Sequence, residues 1–292
     1  MDIKYFTIKD MERFSGIKAH TLRAWEHRYD LLKPARGSGN YRLYTLNQLK
    51  KILQIALLKK NGFRISFLSI MSDNDLEQKL KQLNDESDRQ QLAINDLIIN
   101  MYSVDPESFQ FLLDELLFTW AINMLVEKVL FPFLKITNLL WIGHKRIEEH
   151  LVVTAIRKKL ILAIETLTIT VKSNKRVLLF LPDTKQLDLG LLYGNYYLKR
   201  RGVQIIYLGN DITIQNLKTF FYVYTPAYLF TYLPNNNRVL IKELLDCISL
   251  YDGDTKLVIG EYSLNKDHRS SNDKLIQINY EQALDFLYIN AG

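Results

Sequence analysis

The sequence predicts a multidomain α and α/β chain: an N-terminal winged helix-turn-helix, a central helical bundle and a C-terminal Rossmann-like (flavodoxin-like) parallel sheet. The chain opens with two short amphipathic helices and a glycine-rich hairpin, which is typical of a winged helix-turn-helix. In the middle of the chain, apolar residues recur only at helical spacing, which favours a helical bundle. The last third alternates β-rich runs with helical stretches, which favours a doubly wound sheet. We therefore place the domains at residues 1–73, 74–174 and 175–292.

The first two helices are predicted from their apolar spacing and their ends. Thr7 and Asp10 are placed as a capping box in front of an apolar stripe, and Gly16 ends this helix. The second helix is predicted from Lys18 to Tyr29, with its own apolar stripe. A different face of the second helix carries His20, Arg23, Ala24 and His27.

A hairpin and two further helices complete the first domain. Residues 35–44 contain a Gly-Ser-Gly-Asn turn with Arg36 and Arg42 on its two arms, which predicts a small wing. An amphipathic helix is predicted over residues 46–61, ended by a glycine, and a short one over residues 66–71. Since the apolar residues of this domain form its own small core, we expect oligomerisation to involve the rest of the chain.

The other two domains are predicted from their periodicity. Helices are expected over residues 75–95, 106–117, 121–140 and 146–172. Strands are expected over residues 176–181, 203–208, 227–233, 256–259 and 275–278. Because helical stretches separate the β-rich runs, we expect one parallel sheet of five strands.

The basic residues are concentrated in the first domain. The chain has a net charge of +6, and residues 1–73 carry +8, from eight lysines and six arginines against four aspartates and two glutamates; the remainder carries −2. Neutralising phosphates and releasing counterions drives much of the affinity for DNA, so this distribution favours a polyanion-binding head. A solvated charged surface is the alternative that charge by itself leaves open.

The composition argues against several other classes of protein. Cys247 is the only cysteine, which excludes an internal disulfide framework and a cysteine-rich zinc site. Polar residues and a proline interrupt the apolar stretch 220–233, and the first residues lack a signal-peptide layout, so we expect a cytoplasmic protein without a membrane segment. The five histidines are scattered, and Gly-x-Gly-x-x-Gly and Walker loops are missing, so we expect neither a metal site nor an enzyme.

Three spaced motifs in the first domain carry a family resemblance. They are Thr-Leu-Arg-Ala-Trp-Glu-His-Arg-Tyr at residues 21–29, Leu-Leu-Lys-Pro-Ala-Arg at residues 31–36 and Asn-Tyr-Arg-Leu-Tyr at residues 40–44. Together they resemble the DNA-binding domain of MerR-family transcription regulators, and the Leu-Arg-Ala-Trp-Glu version resembles the CarH/LitR branch. One departure is Lys18, which stands where the family has a serine cap.

The resemblance implies a regulator that binds double-stranded operator DNA as a homodimer or tetramer, with RNA polymerase at the promoter as a further partner. The second helix would enter the major groove, and the wing would reach the flanking backbone. Two alternatives stay open, that Arg23 pairs with Glu26 or Glu12 inside the domain, and that Trp25 and Tyr29 belong to the core. The residues that the resemblance assigns to DNA are Lys18, His20, Arg23, His27, Arg28, Arg36, Tyr41 and Arg42.

The rest of the chain resembles the same branch, which joins this head to a helical bundle and a cobalamin-binding Rossmann-like domain. Trp141 followed by Glu149 and His150 resembles the signature by which the bundle covers the upper face of the cofactor, with a shorter spacing than in the family. The alternative is that Trp141 is ordinary bundle core and that Glu149 and His150 lie on a solvated helix face.

The lower side of the cofactor site is where the sequence departs from the family. The family has an Asp-x-His-x-x-Gly loop whose histidine ligates cobalt, and Leu187, which has no donor atom, occupies the place of that histidine. The family also has a Gly-Gly pair that lets the nucleotide tail of the cofactor pass between strands. This chain has Gly260 followed by Glu261 at that place. The corresponding positions of this chain are Asp183, Leu187, Gly190, Thr231, Leu233 and Gly260.

We therefore expect a DNA-binding regulator whose last domain keeps the fold but has lost cobalt ligation and has lost or changed its ligand, so that no cofactor is the leading expectation. The alternatives are a light-sensing regulator that depends on adenosyl- or methylcobalamin, and a corrinoid carrier or methyl-transfer module. A carrier would need the loop histidine and has no use for residues 1–73. A protein-interaction antagonist of a related regulator, with weak DNA affinity, is a third alternative.

Overall fold

The computed structural model of the chain divides into two compact units. It describes residues 5–37, 39, 41–103, 105–139, 147–168, 170, 174–182, 188–233, 238–251, 254–261 and 272–292. The first unit comprises Met1–Thr137 and Arg146–Val152, and the second comprises Asn138–Lys145 and Val153–Gly292. Among the helices described, none is both long and apolar enough to cross a membrane. The domain limits at residues 73 and 174 stay predictions.

The first unit begins with the predicted helix-turn-helix and wing. The capping box of Thr7 and Asp10 is present at the start of the first helix, and Gly16 ends it with a φ of 71°, a left-handed conformation that glycine adopts easily. The backbone of Phe6 pairs with that of Tyr44, which attaches the start of the chain to the wing. The elements are α1 Ile8–Ser15, α2 Ala19–Tyr29, β1 Ala35–Arg36, β2 Arg42–Leu43, α3 Leu46–Lys60 and α4 Ile65–Leu68.

Helices continue through the rest of this unit, with three corrections to the predicted limits. The helix expected over residues 75–95 is two helices, because Asn84 and Asp85 favour a turn and α6 starts on the carbonyl of Asp85. The helix expected over residues 121–140 contains a π-helical turn and ends before Asn138, whose φ is 59°. The elements are α5 Asp73–Lys81, α6 Glu86–Ser103, α7 Pro106–Thr119, α8 Ile122–Leu125, the π-helical turn Val126–Leu130 and α9 Phe131–Ile136, followed by α10 Ile147–Glu165, which belongs to the second unit from Val153 onward.

The third correction concerns the end of α10. This helix was expected to reach residue 172, and it ends at Glu165. The hydroxyl of Thr166 donates to the carbonyl of Leu162 at 2.9 Å, a local bond that competes with helix continuation.

The helix-turn-helix shares its hydrophobic core with α5 and α6, against which α3 packs. The ring of Tyr102 on α6 meets the rings of Phe6 and Phe14 edge to face, at centroid distances of 4.9 and 5.8 Å. The ammonium of Lys60 on α3 lies 3.5 Å from the buried carboxylate of Asp88 on α6. The expectation that the head completes its core by itself is therefore wrong, since α6 supplies part of that core.

The second unit contains the predicted five-stranded parallel sheet. Its strand order is β4-β3-β5-β6-β7, the flavodoxin-like order, and each neighbouring pair is parallel. The strands are β3 Arg176–Phe180, β4 Gln204–Gly209, β5 Tyr228–Leu233, β6 Lys256–Glu261 and β7 Leu275–Asn279. The helices that cover the sheet are α11 Leu189–Arg200, α12 Ile214–Phe221, α13 Arg238–Tyr251 and α14 Tyr280–Ala291.

The two faces of this sheet have separate cores. Leu229, Leu233 and Ile259 pack with the apolar residues of α12 and α13 on one face. The alternate residues of β5 point to the other face, where the rings of Phe230 and Tyr280 lie 6.0 Å apart. Both faces are buried, as expected for a parallel sheet covered by helices.

Candidate functional site

The helix α2 presents one polar, exposed face. His20, Arg23 and His27 are exposed and follow one another at helical spacing. Leu22 and Trp25 are buried on another side, with 0% and 7% of their surface exposed. Trp25 therefore belongs to the core, while the imidazoles and the guanidinium of α2 are accessible to a partner.

Arg23 is not engaged with either of the two carboxylates that the sequence offered as partners. Glu12 accepts from the ammonium of Lys18 at 3.2 Å, and Glu26 accepts from Nε of Arg42 at 3.0 Å. Within the described part of the chain, Arg23 forms no ion pair, and its side chain is exposed. Its guanidinium is thus available to a ligand.

The start of α2 is capped by a residue that sequence reasoning missed. Lys18 provides no side-chain cap, but Oε2 of Glu12 on α1 accepts from the backbone N–H of Ala19 at 3.1 Å. This hydrogen bond, followed by the one from Lys18, lowers the pKa of Glu12. A carboxylate from the preceding helix therefore replaces the serine cap of the family. The acidic residue at position 12 was the available signal.

The wing is held against α2 by one carboxylate. Glu26 on α2 accepts from the guanidinium of Arg42 and from the hydroxyl of Tyr44, and the Glu26 side chain is only 10% exposed. Burial, and then the hydrogen bond to Glu26, raises the pKa of Tyr44. The contact of Arg42 with Glu26 positions the wing. Since 38% of the Arg42 side chain is exposed, part of its charge is still presented to solvent. Sequence reasoning assigned Arg42 to DNA and missed its role in this clamp.

The remaining predicted DNA-binding residues lie on the surface of the same unit. Arg36 is exposed on β1, opposite Arg42 in the register of the wing. Tyr41 is 72% exposed next to the turn, where Gly39 adopts a φ of 83° that favours glycine. Lys18 and Arg28 are exposed at the two ends of α2.

The residues predicted to cover a cofactor are only partly described. Glu149 is half-buried and His150 exposed, both near the start of α10. Trp141, Asp183 and Leu187 lie outside the described residues. No group of three or more His, Cys, Asp or Glu side chains suited to a metal ion is found among the described residues.

Two buried tyrosines fill the space beside the predicted cofactor glycines. A Cβ at Gly190 would lie 3.0 Å from the ring of Tyr232, and one at Gly260 would lie 3.1 Å from the ring of Tyr280. The two tyrosine rings meet edge to face at 5.9 Å and are 1% and 2% exposed. The hydroxyl of Tyr280 also donates to the carbonyl of Gly190. The close approach that each glycine permits is thus taken up by the chain's own phenol rings.

The predicted cofactor residues of β5 face the other way. Leu233 packs in the core formed with α12 and α13, and Thr231, two residues earlier, points to the same face. The hydroxyl of Thr231 is buried and has no hydrogen-bond partner in the described structure. Gly190 and Gly260 contact Tyr232 and Tyr280 across the opposite face, so the structure does not bring the four residues to one side of the sheet.

The sequence resemblance suggests cobalamin as a ligand, but the space beside Gly190 and Gly260 does not fit this cofactor. The nucleotide tail of the cofactor would need open space beside Gly190 and Gly260, and the rings of Tyr232 and Tyr280 occupy that space. Glu261, in the second position of the predicted glycine pair, accepts from the side-chain amide of Gln277. The described residues therefore do not fit the tail of this cofactor.

Known proteins resemble the chain in two separate ways. Residues 6–73 match the model of the MerR HTH family regulatory proteins. Over 210 residues the chain is 26% identical to the HTH-type transcriptional repressor CarA of Myxococcus xanthus. The aligned residues cover 70% of this chain and 68% of that repressor. Over 70 residues it is 34% identical to the HTH-type transcriptional regulator MlrA of Escherichia coli (strain K12), covering 24% of this chain and 29% of MlrA.

The fold resembles a solved corrinoid protein. The monomethylamine corrinoid protein of Methanosarcina barkeri superposes with a TM-score of 0.53 at 16% identity, covering 68% of this chain and 99% of that chain. At this identity the likeness concerns the fold alone. Residues 6–73 are therefore a MerR-type helix-turn-helix domain, in a chain that is similar in sequence to the CarA repressor and that continues into a Rossmann-like fold.

Proposed function

We propose that this chain is a transcription regulator that binds operator DNA by placing α2 in the major groove. The observation that carries the proposal is the exposed face of His20, Arg23 and His27, on a helix whose other side is buried in a MerR-type domain. An α-helix fits the major groove, and guanidinium and imidazole groups donate to the acceptor atoms of base edges there.

The wing and the ends of α2 contact the phosphate backbone in this proposal. Arg36 and Tyr41 are exposed on the wing, and Lys18 and Arg28 are exposed at the ends of α2. Such contacts fix the position of the protein on the duplex and leave sequence reading to α2. The clamp of Glu26 on Arg42 sets the distance between the two DNA-contacting parts.

Assembly and promoter action belong to the same proposal. One short recognition helix reads few bases, so specific binding calls for two heads on a two-fold operator, hence a homodimer or tetramer. We place the assembly surface beyond residue 73, and RNA polymerase at the promoter is the further partner of the assembled regulator.

The second unit is proposed to keep the cobalamin-binding type of fold without holding cobalamin. The support is the packing of Tyr232 and Tyr280 beside Gly190 and Gly260, together with Leu187 in place of a ligating histidine. Absorbance spectra of the purified chain with and without adenosyl- or methylcobalamin test this. We expect the cofactor to separate from the protein on gel filtration, and retained cofactor with a shifted spectrum would support the light-sensing alternative.

DNA binding is tested with one charge-matched pair of variants. After selection of a binding site from random duplexes, Arg23→Ala should weaken binding by about 1–3 kcal/mol if Arg23 contacts a base, or reduce the salt slope by about one if it contacts a phosphate. Lys242→Ala removes the same charge from an exposed position on α13 and should bind like the parent protein. Equal binding by the parent, Arg23→Ala and a matching Arg36→Ala variant would contradict the assignment.

A further inference from the structure

A cleft of about 330 Å³ opens along the edge strand β4 in the second unit. Its walls come from the end of α10, the second half of α11 and the first residues of β4. In open α/β sheets ligands usually bind outside the carboxyl ends of the strands, and this cleft reaches the amino end of β4. Its lining includes neither Tyr232 nor Tyr280, which lie beside the predicted cofactor glycines. Its apolar lining consists of Ile164, Leu167, Val203 and Ile205.

One largely buried polar side chain lines this cleft and has no protein partner among the described residues. Asn195 on α11 is only 8% exposed and lines the cleft. In the described part of the chain, no group donates to its amide oxygen or accepts from its amide nitrogen. Neither amide atom belongs to the fully enclosed polar atoms of the described residues, so both are reached from the cleft. The amide of Asn195 thus offers a donor and an acceptor to a molecule in the cleft.

Two further polar groups line the same cleft. The ammonium of Lys199, one turn along α11, is held at the wall by donating to the carbonyl of Ile164 at 2.9 Å, which leaves it two further N–H groups. The hydroxyl of Tyr207 on β4 has no hydrogen-bond partner among the described residues, and burial raises its pKa, so it stays a neutral donor. Glu165, exposed at the cleft, disfavours a ligand with more than one negative charge.

An ion pair fixes the relative position of the two helices at one end of this region. Nη2 of Arg157 on α10 lies 2.6 Å from Oδ1 of Asp188, and its Nε lies 3.0 Å from both carboxylate oxygens. With the Lys199 contact to α10, the two helices are joined at two points about three turns apart along α11. The cleft is thus a space with fixed walls, as small-molecule sites usually are.

We propose that this cleft binds a small planar aromatic molecule bearing one carboxylate or carboxamide group. The aliphatic walls suit the ring, while Asn195, Tyr207 and Lys199 line the same cleft and supply hydrogen-bonding groups for the acyl group. The volume lies at the lower end of the range of ligand pockets, which fits a single ring system. The inference concerns the second unit alone and does not depend on DNA binding.

The test uses benzoate, benzamide and toluene as probes of the full-length chain. Their binding is followed by protein-observed NMR, on the side-chain amide of Asn195 and the methyl groups of Val203 and Ile205. We expect benzoate or benzamide to shift these signals at millimolar concentration, and toluene, which lacks the acyl group, to bind about tenfold more weakly. No shift by any of the three probes would overturn the proposal.

Variants assign the recognition to the named groups. Asn195→Leu keeps the volume and should weaken benzoate or benzamide about tenfold, while Tyr207→Phe removes only a hydroxyl and should weaken it by a smaller factor. Lys199→Met should weaken benzoate more than benzamide. Asn95→Leu is the matched control, since Asn95 is buried in the first unit and accepts from Gln91, and it should leave probe binding unchanged. Equal probe affinity in Asn195→Leu, Tyr207→Phe and the parent would overturn the proposal.

Discussion

The exposed face of α2 and the glycine region of the parallel sheet differ in what a binding site requires. On α2 the apolar side chains are buried, so the polar ones remain accessible while the helix stays stable. Beside Gly190 and Gly260 the side chains of Tyr232 and Tyr280 point into the space that a ligand would need. A surface site needs only a stable core beneath it, whereas an internal site also needs empty space, which larger side chains remove.

The comparison also shows how each region depends on its neighbours. The helix-turn-helix relies on Tyr102 of α6 for part of its core. In the second unit, Tyr280 packs against Tyr232 and is held by its hydrogen bond to the carbonyl of Gly190. Each region therefore has a supporting contact that can be removed by mutation or truncation.

The largest expected effect comes from separating the helix-turn-helix from α5 and α6. A fragment of residues 1–72 loses the contacts of Phe14 with Tyr102 and exposes the side of α3 that packs on α6. We expect it to melt without a cooperative transition, whereas a fragment of residues 1–137 melts cooperatively. Circular dichroism of both fragments measures this. A stable fragment 1–72 with the melting temperature of fragment 1–137 would show that the head is independent after all.

The next effect concerns the tyrosine pair. Tyr280→Ala removes a fully buried ring and should destabilise the protein by about 3–5 kcal/mol, as large-to-small core substitutions do. Tyr222→Ala is the control, because Tyr222 is 76% exposed and should change stability by less than about 0.5 kcal/mol. Urea unfolding of both variants gives the two free energies. Similar small losses would mean that the space beside Gly260 is not tightly packed.

The smallest effect concerns the clamp between the wing and α2. Glu26→Gln removes the charged acceptor of Arg42 and Tyr44 and should cost about 1–3 kcal/mol of stability. Glu77→Gln removes one partner of an exposed pair with Lys50 and should cost at most about 1 kcal/mol. Thermal unfolding compares the two variants. If Glu26→Gln costs no more than Glu77→Gln, the clamp does not position the wing.

Most of the fold was predictable because its signals are local. The capping box of Thr7 and Asp10 lies within four residues, and each predicted strand is a β-rich run bounded by turn residues. The prediction was wrong where a local conflict interrupts a helix, as at Asn84 and Asp85 and at Thr166. Periodicity over a longer window does not detect such interruptions.

The contacts that complete the candidate sites could not be predicted, because they join residues far apart in the chain. Glu12 caps α2 from the preceding helix, and the hydroxyl of Tyr280 donates to the carbonyl of Gly190 from 90 residues away. The position of Asn195 in the wall of a cleft is likewise a property of its surroundings and not of its sequence neighbours.

The sequence by itself determined the element order, the basic charge of the first domain and the identity of the exposed residues of α2, since these follow from composition and periodicity. Only the tertiary structure decided that Arg23 is available while Arg42 is held by Glu26, and that two phenol rings occupy the space beside the glycines. The reason is physical: availability and packing depend on which side chains converge in space, and that is fixed only when the chain has folded.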